Sequence, residues 1–415
     1  MAREFRTSPD FKTAVLANGA AGTSGQVLTS AGAGAAPSWT TVSGGGGGLT
    51  KFTEAESITA PNATVYVDSL TAAAASTDAD VALAAKGTGA TLAQIPTGTA
   101  AGGNKRGQYA TDLQKYRTSP GHVASGQFST IGGGQSNTSS SQSTTVAGGI
   151  SNTASGQYAS IVAGLSNTAS SNYSFIGGGD YNVASTNAYT TVCGGSNNTA
   201  SGPYSFVGGG FNNTASGTYS SIYGGTGNSA TAQTSSIAGG EYNTANSICS
   251  IVVGGRYGTT RNIYGNCVFP ACQSPIASGN GITQSALLIL GRQTTNATAA
   301  VLTSNPSAAD STNQVILPNN SAYSFSGEVI AGVTAAGNTA RWTINGAIKR
   351  GAGAGTTAMV GTPTVTMTHN DAGAAAWTVA VTADTTNGGI AVTVTGAAST
   401  TIRWVAKINT TEMTF

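Results

Sequence analysis

The sequence predicts an all-β, elongated protein in which a parallel β-solenoid (β-roll) shaft carries a C-terminal antiparallel β-sandwich tip. Three observations lead there: a short repeat in the middle, a lack of charge throughout it, and an alternation of period two near the end. The repeat occurs nine times between Phe128 and Gly255, on the aliphatic anchors Ile131, Val146, Ile161, Ile176, Val192, Val207, Ile222, Ile237 and Val252. The step is 15 residues except for one of 16, from Ile176 to Val192. A fixed short period is the signature of a stacked array.

Each unit approximates Tyr-Ser-x-Ile-x-Gly-Gly-x-x-Asn-Thr-Ala-Ser-Gly-x. An aromatic precedes most anchors by three residues, and an Asn follows eight of the nine by six, from Asn137 to Asn243. Fifteen residues are too few for a helix pair but enough for two short strands and two turns. The β-branched, aromatic and hydroxyl residues favour strands, and Gly-Gly and Ser-Gly supply turns. Coils stacked at the inter-strand spacing align the Asn residues into an amide ladder. The extra residue of the long step falls around Ser185-Thr186-Asn187-Ala188 and predicts a local bulge at a turn.

The 415-residue chain holds 59 glycines, only 8% charged residues and a net charge of +2. Between Gly121 and Gly255 there is no Lys or Arg, and Asp180 and Glu241 are the only acids. Such a surface offers no basic field, so no nucleic acid is expected as a partner. One coil supplies one aliphatic anchor, usually one aromatic and a few small residues. Against a backbone-ordering cost of about 1–2 kcal/mol per residue, that core is too thin for one coil to close alone. The deficit predicts a homotrimer sharing one interior.

Units such as Ser216-Gly217-Thr218-Tyr219-Ser220-Ser221-Ile222-Tyr223-Gly224-Gly225 resemble the left-handed β-roll repeats in the heads of trimeric autotransporter adhesins. Similar Gly-Gly-x-x-Asn-Thr-Ala-Ser-Gly arrays occur in bacteriophage fibre proteins. Gly22-Thr23-Ser24-Gly25-Gln26-Val27-Leu28-Thr29-Ser30 and Thr382-Ala383-Asp384-Thr385-Thr386-Asn387-Gly388-Gly389 also resemble phage fibre segments. The resemblance covers about a third of the chain and implies a trimeric fibre built into a virion. No apolar run of signal-peptide length follows Met1-Ala2-Arg3-Glu4-Phe5-Arg6, which favours synthesis in the host cytoplasm over export.

Domain by domain, residues 1–48 read as a virion-attachment arm, small and polar, ending in the Gly44–Gly48 run. Residues 49–120 read as a small β-rich domain with strand candidates Thr64-Val65-Tyr66-Val67 and Val81-Ala82-Leu83. The shaft is 121–262 and a connector 263–283 follows, containing Pro270, Pro275 and Gly279-Asn280-Gly281. The tip, 284–415, shows period-two runs: Trp377, Val379, Val381; Ile390, Val392, Val394; Ile402, Trp404, Ala406, Ile408. Asn387-Gly388 between two of them is a hairpin signal.

A search for chemistry gives no catalytic constellation, and the chain is expected not to be an enzyme. The close acid pairs Glu54/Glu56 and Asp78/Asp80 lie outside the shaft and read as solvated positions. His369 and Asp371 are too close in sequence for a triad. No cofactor is expected, and no metal, since His122 and His369 are the only histidines beside four scattered cysteines. Cys267 and Cys272 could close a small loop, but a cytoplasmic origin argues for thiols. Receptor contacts are expected from the exposed turns of the tip, at Lys349, Arg350, His369, Asn370 and Asp371, where the Arg350 fork suits anionic glycans. The function expected is a structural phage fibre, attached by its N-terminus to other virion proteins and touching a host-surface glycan or protein with its tip. The alternatives are a capsid-decorating fibre or tail connector, and a glycan-degrading tailspike.

Overall fold

A computed structural model describes residues 85–270, 276–277, 279–335 and 337–415, with short segments between 16 and 72. It divides into two compact units, Met1–Ala84 and Ala85–Phe415. In the first unit, Gln26–Thr29 pairs antiparallel with Ser38–Thr41, setting Leu28 opposite Trp39, and Phe52–Ser57 pairs with Val67–Ala72. Residues 64–66, 81–83 and the Gly44–Gly48 run lie outside the described residues.

Among its described residues the second unit is all-β apart from two single-turn 3-10 helices, Ala354–Thr356 and Ala372–Ala374. Its first part is a parallel β-solenoid. One ladder of twelve short strands starts at Thr91–Leu92 and ends at Cys267–Pro270, so eleven turns separate its ends. At the inter-strand spacing this rises about 53 Å. The stack thus begins before residue 121 and continues beyond 262. Successive anchors pair residue for residue, Val146 with Ile161 and Ile161 with Ile176, and across the long step Ile176 pairs with Val192. A second ladder of eight strands joins Thr138–Ser139 through to Thr244–Ala245. A third runs as single bridges from Tyr116 through Gln135, Ile150, Leu165 and Asp180 to Arg256.

All nine anchors are fully buried within one chain, at 0% exposure, with Ala154, Ala169, Ala184 and their successors beside them. This corrects the shared-core argument. A lone coil is too thin, but each coil is roofed and floored by its neighbours, so closure comes along the axis rather than from other chains. Asparagine completes the interior. Asn182 Nδ2 donates to Gly178 O (2.9 Å) and Gly195 O (2.8 Å), its backbone N–H to Asn167 Oδ1 (2.9 Å), and its own Oδ1 accepts from Asn198 N (3.0 Å). Every polar atom of that buried amide is satisfied.

Two turn positions carry the conformational load. Gly179 sits at φ +82°, where a Cβ would also collide with Gly195 O of the next coil. The position three before each anchor is left-handed too, yet Tyr158, Tyr173, Tyr189, Tyr204 and Tyr219 occupy it at φ of +57 to +63°. Their rings stack outside the coil at centroid distances of 4.8–4.9 Å. Such strain costs about 1–3 kcal/mol per residue, and each stacked pair returns about 0.5–1.5 kcal/mol, so the two nearly offset. The extra residue of the long step lies between Ala184, which pairs with Ala200, and Val192, with Thr186 at φ +72°. The ladders continue through it.

Beyond the solenoid we number the strands β1 (Cys267–Pro270), β2 (Thr283–Thr294), β3 (Ala300–Val301), β4 (Val315–Ile316), β5 (Ser321–Val333), β6 (Thr339–Arg350), β7 (Ala358–Met359), β8 (Thr364–Asn370), β9 (Thr378–Asp384), β10 (Gly389–Thr395) and β11 (Ile402–Thr414). β1 is both the last solenoid rung, pairing Val268 with Val252, and the first strand of the antiparallel part, pairing with β2. The sheet then runs β2-β11-β5-β6, with β7 and β8 on β6. A smaller sheet sets β9, β3 and β4 around β10. One buried core takes residues from both sheets, Tyr323, Phe325, Trp342, Trp377, Val392 and Trp404 among them. The β9–β10 hairpin closes through Gly388 at φ +82°, whose N–H donates to Asp384 O at 2.8 Å.

Candidate functional site

The residues singled out for receptor contact do not form one site. Arg350 ends β6 and is used internally: its Nη1 donates to Leu317 O (2.5 Å) and Gly388 O (3.4 Å), leaving it half-buried. Lys349 beside it is exposed. His369 and Asn370 end β8, which pairs with the opposite end of β6 at Arg341 and Ala340. Nine residue steps along the strand separate Arg341 from Arg350, about 30 Å. Nη1 is thus held by two backbone carbonyls while Nε is buried without a partner among the described residues, so only part of the Arg350 fork is engaged.

What the fold does bring together lies at the His369 end. Thr339, Ala340, Arg341, Thr368, His369, Asn370 and Asp371 line an open groove of about 500 Å³. The register slips there, since Arg341 faces His369 while Trp342 faces Met367, so Thr368 is extruded as a bulge. Bulges re-aim side chains at sheet edges. Thr368 Oγ1 donates to Arg341 O (3.2 Å) and accepts from Arg341 Nη1 (3.1 Å), while Arg341 Nη2 donates to Glu328 Oε1 (2.8 Å). Among the described residues two of the five guanidinium N–H groups are thus engaged and three remain. Asp371 Oδ2 accepts from Thr339 N at 2.8 Å, fixing the groove's end, and Asn370 Nδ2 donates to Asp371 O at 3.0 Å. The groove offers donors and acceptors side by side, the arrangement that recognises vicinal hydroxyls or a carboxylate. Of the residues lining the groove, the sequence reading names His369, Asn370 and Asp371 and not Thr339, Arg341 or Thr368. The alternation of Val365, Met367 and His369 runs unbroken through the bulge, so nothing in the pattern marks it.

Fold and site together define an all-β protein with a parallel solenoid of eleven turns that merges into an antiparallel domain bearing a polar groove. No protein-family model and no curated protein matches the chain. Among solved structures, it is similar to the tailspike protein of Acinetobacter phage vB_ApiP_P1, at 9% identity over 79% of this chain and 74% of that one, with a TM-score of 0.21. A TM-score at that level carries none of the tailspike's properties to this chain. That no catalytic constellation is legible does not exclude activity, so the expectation that the chain is not an enzyme is withdrawn, the matched protein being itself a tailspike.

Proposed function

We propose that the chain is a phage tail appendage, a virion component whose solenoid is the shaft and whose C-terminal antiparallel domain meets the host surface. The observation carrying this reading is the strand β1, at once the last solenoid rung and the first strand of the groove-bearing domain. A stiff repetitive rod is thereby joined by continuous hydrogen bonding to a domain with a conventional core. The repeats' resemblance to phage fibre arrays supports the same reading. The ligand class proposed for the groove is a host-surface glycan, bound through Arg341, Asn370 and Asp371, and attachment to the particle is proposed for the N-terminal arm.

Assembly is proposed as a parallel homotrimer of complete solenoids lying side by side. Exposed Ile150, Leu165 and Phe211, all on the third ladder, supply apolar contacts for it. Analytical ultracentrifugation of the full chain should give an elongated trimer, and a stable monomer at micromolar concentration would overturn it.

The functional reading is tested by immunolabelling virions and by asking whether purified full-length protein binds host cells and competes with phage adsorption. Incubation with host glycan, followed by an assay for new reducing ends, distinguishes binding alone from depolymerisation. Absence of labelling and of binding by the folded protein would overturn the appendage reading.

A further inference from the structure

The first coils of the solenoid hold a charge that the rest of the core does not. Asp112 takes the place of the aliphatic anchor, pairing with Ile131 on one side and Leu92 on the other. Arg106 Nε donates to Asp112 Oδ2 at 2.7 Å, and Arg117 Nη2 donates to both carboxylate oxygens at 3.1 Å. All three side chains are 0–1% exposed. Two guanidinium groups therefore share one carboxylate, leaving a surplus positive charge inside the cap.

The remaining donors find dipoles rather than charges. Arg106 Nη1 reaches Gly102 O (2.6 Å) and Asn104 O (3.0 Å), while Arg117 Nη1 reaches Gln94 Oε1 (2.7 Å). Among the described residues Arg106 Nη2 has no partner, although it is buried. An uncompensated buried ion is strongly unfavourable, and an unmade charged hydrogen bond adds to that. Arg106 lines an open pocket of about 340 Å³ with Gly89, Leu92, Gln108 and the exposed Lys105. The field is felt nearby: His122 is held below its usual pKa, first by burial and then by the charge of Arg117.

We propose that this pocket binds a small oxyanion that hydrogen-bonds Arg106 Nη2 and neutralises the surplus charge, with Lys105 at the rim. The solenoid cap is thus an anion site, separate from the groove at the other end of the unit, and its partner is a phosphate or carboxylate group.

The test titrates inorganic phosphate, then acetate, into the full-length protein, following thermal melting against sodium chloride at matched ionic strength. Phosphate should raise the melting temperature saturably. Arg106→Gln removes the surplus charge while Arg117 still pairs with Asp112, and should abolish the saturable part. Lys105→Ala, at an exposed position, should weaken phosphate roughly threefold. An equal effect of acetate identifies a carboxylate-sized site, and an effect of phosphate alone a phosphate site. No saturable response in the parent protein, or equal responses in the parent and both variants, would overturn the proposal. Should Arg106→Gln fail to fold, an unchanged affinity in Lys105→Ala overturns it alone.

Discussion

Arg261 and Glu412, 151 residues apart in the chain, meet at 3.0 Å, Nε donating to Oε2. Glu412 Oε2 also accepts from Gln284 Nε2 (2.8 Å), and Gln284 bonds Thr259 in both directions at 3.0 Å. The last solenoid coil is thereby tied to the first and last long strands of the C-terminal domain. The pair is nearly buried, so losing one partner leaves a charge stranded. Arg261→Ala should destabilise by about 3 kcal/mol. Calorimetry should show the single transition split into two as shaft and tip uncouple. An unchanged single transition would assign the coupling to β1 alone.

The same junction makes the tip sensitive to alkali. Burial first, then the charge of Glu412, holds the Tyr323 hydroxyl well above its usual pKa of 10.0, while Arg261 and Arg350 pull the other way. As pH passes about 10 the unfolded chain loses this proton while the folded one keeps it, so stability falls. One such group gives about 1.4 kcal/mol per pH unit. Urea melts between pH 9 and 11 should show this slope, and Tyr323→Phe should reduce it. Equal slopes would exclude Tyr323 as its source.

Tyr189 stacks on Tyr173 and Tyr204 at 4.8 and 4.9 Å while strained at φ +63°. Tyr189→Ala keeps the strain and loses both stacks, for an expected loss of about 1–3 kcal/mol. Tyr189→Gly relieves the backbone, so it should be the less damaging change. Chemical denaturation of both variants decides the order.

Asn182 is expected to be the least replaceable polar residue of the coil. Asn182→Asp preserves shape but sets a carboxylate against the carbonyls of Gly178 and Gly195. The cost should be at least about 3 kcal/mol, falling as the acid is titrated at low pH. A variant as stable as the parent at neutral pH would show that the amide ladder contributes little.

Groove and shaft should separate cleanly. The Arg341–Glu328 pair is largely exposed and contributes under about 1 kcal/mol. Arg341→Ala should therefore melt like the parent yet lose binding to host cells. Retained binding would move the contact elsewhere on the tip.

Much of this architecture is legible in the sequence because its residues recur at fixed spacing. Ile131 to Val252 mark the core, and Asn137 to Asn243 the ladder, since stacking forces equivalent residues into register. Alternation likewise marks Ile402, Trp404, Ala406 and Ile408, all buried on one face of β11. Asp112 was hidden: it lies 19 residues before Ile131, because longer loops interrupt the period there and the rung is ionic instead of aliphatic. That Arg350 Nη1 is engaged was not legible, because its carbonyl partners, on Leu317 and Gly388, come from segments that only the fold brings near. The shared-core expectation failed because it weighed a coil in isolation, whereas burial depends on the coils above and below.

The asparagine ladder has a direction, each Oδ1 accepting from the backbone of the next unit. At one end Gln114 stands in, its Oε1 accepting from Asn137 N at 2.9 Å; at the other Gly258 N donates to Asn243 Oδ1 at 2.8 Å and, lacking a side chain, passes nothing on. Both terminators lie outside the run of asparagines, so units can be gained or lost between them without redesigning either end. Each gain lengthens the rod by one inter-strand spacing, about 4.8 Å. Near-identical neighbouring repeats are also favourable substrates for unequal recombination. Reach is thereby a heritable quantity, tuned in small equal increments by a change in copy number rather than by new sequence.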